Sequence, residues 1–280
     1  FSLRVLPRGC IFADGGPAIL STSSQEKDLW ALLSYFNTRI ARYFMETFLG
    51  EGDAVVSGSA ARNYIPRAVG ATPIPDFTNI ELDECSIKKW FRANVISWTH
   101  DETSRVFVGL DFLQDGSLRK AIRRAYSDGV RVGVAGMEAS HSLESSFSRA
   151  LGLSAEGNIA IAESFGIHPC EFDMNDINAR TIENLISHPI DQLVDVAAER
   201  CGHARYISKK SYYVDRRIEL IARITETHPI NIAECIALSS LVPADEMNLR
   251  CTNLLNYFVG IAFGRWDIRI AIDPSLAPKL

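Results

Sequence analysis

The residues best spaced to do chemistry are Arg119, Lys120, Arg123 and Arg124, in the stretch LRKAIRRAY. At 3.6 residues per turn Arg119 stands one turn from Arg123 and Lys120 one turn from Arg124, while Ala121, Ile122 and Ala125 can pack the other way. Such a helix can lie along a phosphate backbone, where guanidinium groups bind oxygens bidentately. A solvated helix face accounts for the same spacing. Lys88, Lys89 and Arg92 form a weaker cluster of the same kind. Lys209, Lys210, Arg216 and Arg217 form a third, offset by Asp215 and Glu219. No pattern picks out base-reading residues.

Other chemistry finds little foothold. A Mg²⁺ nuclease needs clustered acids. Pro75–Asp76 with Glu84 and Lys88 has the letters, but Glu84 and Lys88 are four apart and read as an i,i+4 ion pair. Asp173, Asn175, Asp176 and Asn178 have the acid spacing of a calcium loop without its turn glycine or terminal Glu, so they read as a polar helix start. The six histidines never recur at i,i+3 or i,i+4, and the six cysteines include no C-x-x-C pair. Zinc sites and disulfide frameworks are therefore not expected, and reduced thiols in a cytoplasmic setting are. No nucleophile elbow surrounds any serine.

The elements that must position these residues lie in a chain of 280 residues, 47% hydrophobic and 22% charged, long enough for one large or two modest cores. The chain starts at Phe1 without a signal-peptide layout, and both ends look cut from a longer polypeptide. Its longest apolar run, Leu254–Phe263, is interrupted by Asn256 and is too short to span a bilayer, so no membrane partner is expected. Net charge is −5, but residues 1–150 carry 17 basic and 17 acidic side chains, so the negative excess sits in the second half. Between Lys88 and Arg131 nine basic residues face five acidic ones, a surplus that permits a phosphate-facing surface there.

Periodicity predicts an α+β fold, a small N-terminal β/helix unit followed by a mainly α-helical region. Ser2–Leu20 reads as short strands broken by turns. Gln25–Phe48 reads as one helix ended by Gly50 and Gly52, and Gly50–Phe77 as loop. Helices are expected at Asn79–Trp98, Leu118–Tyr126, Leu143–Leu151, Asn175–Ser187, Ile190–Arg200, Tyr213–Thr227, Ile230–Leu238 and Asp245–Ala262, with a strand at Val130–Val134. A stretch rich in Ser, Gly and Ala, Ala139–Gly157, is the expected linker. The expected parts are residues 1–78, a basic helical segment 79–138, the linker 139–157, and an acidic, mainly helical region 158–280.

Several segments, in this order, resemble a known protein family. They are LPRGCIF (Leu6–Phe12) with GPAIL (Gly16–Leu20), LLSYFNTRIARYFM (Leu32–Met45) with Asn37 near the helix middle, YIPRAVGATPIPDF (Tyr64–Phe77), ISWTHDETSRVF (Ile96–Phe107) and NLLNYFVGIAFGRWDIRIA (Asn253–Ala271). Together they resemble the region just downstream of the catalytic core in large adenine-specific DNA methyltransferases, the type IIG restriction–modification enzymes and the BREX phage-defence methyltransferases. The resemblance implies that residues 1–78 pack against the methyltransferase catalytic domain and that the helical remainder helps hold and recognise double-stranded DNA. It implies an intact enzyme that uses S-adenosyl-L-methionine to methylate N6 of a flipped adenine. The Asn/Asp/Ser-Pro-Pro-Tyr/Phe loop that grips such a base is not in this sequence. FLGEG (Phe48–Gly52) has the letters of the cofactor turn but ends a helix rather than a strand. No catalytic, cofactor-binding or metal-binding residue is therefore expected in this chain. The rival expectation is a helical spacer or partner-docking module that never touches DNA.

Overall fold

The computed structural model describes Val5, Ile19 and residues 26–49, 66–80, 82–99, 116–201 and 213–262. Among these residues helices account for 78% and there is no strand, so the described fold is all-α and the α+β expectation is corrected. The Val130–Val134 strand is instead the middle of a helix. The apolar residues Ile122, Tyr126, Val130 and Val134 recur every four positions and are all buried, so packing along one helical stripe overrides the β-propensity of valine. The strands expected over Ser2–Leu20 lie outside the described residues apart from Val5 and Ile19, neither of which is in a strand.

The helices are α1 Glu26–Phe36, α2 Arg39–Leu49, α3 Pro66–Ala71, α4 Glu84–Thr99, α5 Leu118–Ala150, α6 Ala155–Phe165, α7 Ala179–Ile186, α8 Ile190–Cys201, α9 Tyr213–Thr225, α10 Pro229–Leu238 and α11 Ala244–Ala262. The chain divides into two compact units, each assembled from two separate stretches. One comprises Phe1–Lys88 with Ala139–Ile167, the other Lys89–Glu138 with His168–Leu280.

In the first unit the single helix expected over Gln25–Phe48 is two. Thr38 breaks it, donating its hydroxyl to Tyr35 O (2.7 Å) and accepting the Ala41 N–H (3.2 Å), while Asn37 turns back to Leu33 O (2.8 Å). Short polar side chains here compete for the backbone groups that would have continued the ladder. The core is aromatic. Tyr35 meets Phe147 edge-on at 5.3 Å between ring centroids, Phe77 meets Phe147 at 6.2 Å, and the Tyr35 hydroxyl donates to Pro73 O. Burial pushes the Tyr35 phenol well above its ordinary range. Arg39 at the start of α2 grips Glu144 of α5 (2.7 Å) and donates to Gly166 O beyond α6. Ala139–Gly157, expected as a linker, is helical to Ala150 and again from Ala155, because Leu143 and Phe147 are buried core residues.

In the second unit α9 is central. Ile218, Leu220, Ile221, Ala222 and Ile224 are all buried, so α9 is covered on nearly every side. They pack with Tyr126, Val130 and Val134 of α5, Ile182 and Ile186 of α7, Leu193 and Ala197 of α8, and Ile232 and Ile236 of α10. Where α4 meets α5 the two backbones come close. A Cβ placed on Gly136 would lie 2.2 Å from the Ala93 side chain, so only glycine fits this crossing. Helix starts follow local chemistry. Asp83 accepts the Cys85 and Ser86 amides ahead of α4, and Asn178 accepts the Arg180 amide (2.9 Å) as N-cap of α7. His228, followed by Pro229, caps α10 through Nδ1, and His168, followed by Pro169, caps a short 3₁₀ turn in the same way.

Candidate nucleic-acid interface

The four basic residues of LRKAIRRAY occupy the first two turns of α5, and Arg119, Lys120, Arg123 and Arg124 are all exposed. That segment sits where it does because its small residues let another helix approach. Ala121 is fully buried and, with Ala125, packs against Leu254 and Tyr257 of α11. Arg123 then ties the turn down from another side, its guanidinium donating to Ser239 O at the C-cap of α10. A cation at a helix C-terminus meets the negative end of its dipole. Arg123 is thus partly occupied in holding α5, while Arg119 and Lys120 make no ion pair among the described residues.

The first turn of α5 contains no acidic residue. Arg119 and Lys120 therefore stand at the positive end of the helix macrodipole, with Arg123 and Arg124 one turn further on. Each cation near a helix N-terminus costs on the order of 0.3–1 kcal/mol, and the same amide groups and dipole favour an anion placed there. A phosphate oxygen approaching this end meets cationic side chains and the positive end of the dipole together.

The second cluster does not join the first. Lys89 and Arg92 are exposed on α4, which crosses α5 at Gly136. At about 100° and 1.5 Å per residue, the α5 cations point roughly 100–160° away from that crossing and lie about 18–26 Å along the helix from it. One flat surface cannot present both. Lys88 is spent on Glu84, 2.5 Å away with both side chains largely exposed, so that the carboxylate's hydrogen bond and charge raise its pKa. This is the i,i+4 pair expected in place of a nuclease site. Of the third cluster, Lys209 and Lys210 lie outside the described residues, whereas Arg216 and Arg217 are buried at 5% and 0% exposure and belong to the core.

Arg217 is a structural residue that its sequence context conceals. Its Nη1 donates to the Ile186 and His188 carbonyls (2.8 and 2.9 Å) at the C-terminal end of α7, and its Nη2 pairs with Asp245 of α11 at 2.7 Å. One guanidinium so ties α7, α9 and α11 together and satisfies carbonyls that the end of α7 leaves open.

The same unit holds a cleft of about 380 Å³ between the start of α7 and the ends of α8 and α9, lined by Asn175, Asp176, Asn178, Arg200, Ile224 and Thr227 among others. Part of its polar lining already serves the fold. Thr227 donates to Asn175 O, Asn231 donates to both, and Arg200 reaches Ile224 O. Cys170 is half-buried, and burial together with Glu138 and Glu171 pushes its thiol up to about 12. Among the described residues no three His, Cys, Asp or Glu side chains are grouped to hold a metal ion, and no helix is long and apolar enough to cross a membrane. The Asp101 region, the FLGEG glycines and the GRWDIR segment lie outside the described residues.

Comparison with known protein families, with characterised proteins and with solved structures finds no match for this chain.

Proposed function

We propose that this chain is a non-catalytic, DNA-positioning portion of a cytoplasmic, site-specific adenine-N6 DNA methyltransferase of a restriction–modification or phage-defence system. In this reading residues 1–78 pack on the methyltransferase catalytic domain, which binds S-adenosyl-L-methionine. The first turns of α5 contact the phosphate backbone of double-stranded DNA through Arg119, Lys120 and Arg124. The methyltransferase part of the reading is supported by the ordered sequence resemblance. The DNA part is carried by one observation, four exposed cations on the first two turns of α5 with Arg119 and Lys120 at the positive end of its dipole. Stability disfavours that arrangement and an anion relieves it. Phosphate contacts hold register and orientation rather than read sequence.

A labelled duplex titrated at about 50 and 200 mM salt tests this. Wild-type binding is expected to weaken steeply between the two. An Arg119→Ala/Lys120→Ala variant should bind more weakly and lower the salt slope by about 2, one for each cation taken away from the phosphates. A duplex that does not bind at the lower salt would sink the DNA reading. The second reading, a partner-docking module, is favoured by a different surface, the exposed Leu255, Phe258 and Val259 of α11.

A further inference from the structure

We infer that the corner between α9 and α10 is an acid-released latch, pinned by the neutral imidazole of His228. The two helices meet across three residues, Glu226–His228. α9 stops where Glu226 enters the left-handed region (φ 51°), and the Thr227 amide returns to Ala222 O at 3.1 Å. Glycine is the usual occupant of such a helix end, because a Cβ is strained there. Glu226 is the only non-glycine residue with positive φ among the described residues, so this corner is held against its own backbone preference. What holds it lies on the α10 side. His228 Nδ1 accepts the Ile230 amide at 3.3 Å, and Pro229 presets the first turn. Asn231, in that turn, donates to Asn175 O (2.6 Å) and to Thr227 Oγ1 (3.2 Å), and Thr227 donates to Asn175 O at 3.2 Å. The first turn of α10 thereby clasps the segment that leads into α7 and lines the cleft.

The chemistry of this cap makes it respond to acid. Nδ1 of an imidazole accepts a hydrogen bond only while it carries no proton, so the cap exists with the neutral ring alone. An imidazolium would turn a donor toward the Ile230 donor and set a positive charge on the positive end of the α10 dipole. The surroundings do not offset this. The charged side chains on the elements around the corner are Arg223 and Glu226 at the end of α9, Arg200 of α8, Asp173 and Asp176 ahead of α7, Arg180 and Glu183 in α7, and Glu234 in α10. Arg223 is held by Glu219 (3.0 Å), Arg200 reaches Ile224 O, and the others are exposed. Arg123 of α5 meets the opposite end of α10, at Ser239 O. Among the described residues His228 makes no ion pair, so no carboxylate is in place to hold its charged form. Opening lets the ring take up a proton as an ordinary imidazole does, near about pH 6.5. The capped ring has no proton on Nδ1. Opening is therefore favoured as pH falls below that value, and the latch is fully set above it.

Amide hydrogen exchange at Ile230 and Asn231 in the full chain, corrected for the intrinsic rate at each pH, measures the latch directly. Opening should rise about fivefold between about pH 7.5 and about pH 5.5, the factor to which one lost cap corresponds, while amides in the middle of α8 change little. His228→Asn keeps a cap that does not titrate, and should hold the corner equally closed at both pH values. His228→Ala should leave it open to about the same degree at both. The other histidines titrate in all three proteins, so the difference between wild type and His228→Asn isolates the latch. An equal rise in those two would overturn the inference. Nitrogen NMR of the wild-type ring is a second measurement that needs no variant to fold. At about pH 7.5 the His228 proton should sit on Nε2, with Nδ1 bare. A proton on Nδ1 would overturn the latch, and so would a ring that becomes charged with no change in exchange at Ile230.

Discussion

Arg123–Arg124 in α5 and Arg216–Arg217 in α9 are the same dipeptide in opposite surroundings. The first pair is exposed on a helix whose apolar residues form one stripe; the second is buried in a helix covered on nearly every side. In α9 the two terminal nitrogens of Arg217 meet two carbonyls and a carboxylate, the kind of partners a buried cation needs. In α5 Arg123 reaches a single carbonyl at the surface. A charged residue's role is set by how many faces of its helix are claimed by the core.

The comparison is broken most forcefully at Arg217. Arg217→Ala leaves the end of α7 and Asp245 without their donor, and should cost about 3–5 kcal/mol in urea unfolding. Arg217→Lys should recover little of it, because an ammonium cannot serve both carbonyls and the carboxylate as the planar fork does. A loss below about 1 kcal/mol would mean that the clamp is replaceable by water. Arg123→Ala should cost about 1 kcal/mol, the worth of one charged hydrogen bond near the surface. It should also loosen amide exchange at the start of α5 while leaving α7 protected. The smallest effect has the opposite sign. Lys120→Glu places an anion where the dipole favours one, and should stabilise the fold by about 0.3–1 kcal/mol while weakening duplex binding. A variant that is both less stable and equally able to bind DNA would remove the argument from the dipole.

Much of the α-helical order was legible. Long 3–4 apolar periodicities predict α8, α9, α10 and α11 to within about three residues of their observed ends, because each buries a stripe that local sequence spells out. The exposed cations of α5 were legible for the same reason, since Ala121, Ile122 and Ala125 mark its inner side. The 33-residue length of α5 was not. Val130, Val132 and Val134 alternate like a strand, and the Ser-rich run after Ala139 looks like a loop. Only burial of Val130, Val134, Leu143 and Phe147 along one continuous helix shows which period applies. The break at Asn37–Thr38 was hidden in the other direction, by apolar spacing that continues across it.

By itself the sequence determined which residues could pack and which could carry charge, because periodicity and side-chain chemistry are local properties. Tertiary structure decided what those charges do. It turned Arg216 and Arg217 inward and tied Arg123 to α10. It placed Lys89 and Arg92 on a helix that crosses α5 on the side away from Arg119 and Lys120, and left Leu255 and Phe258 uncovered. Each outcome depends on which helix lies against which, and that is fixed by long-range packing that no window of sequence contains.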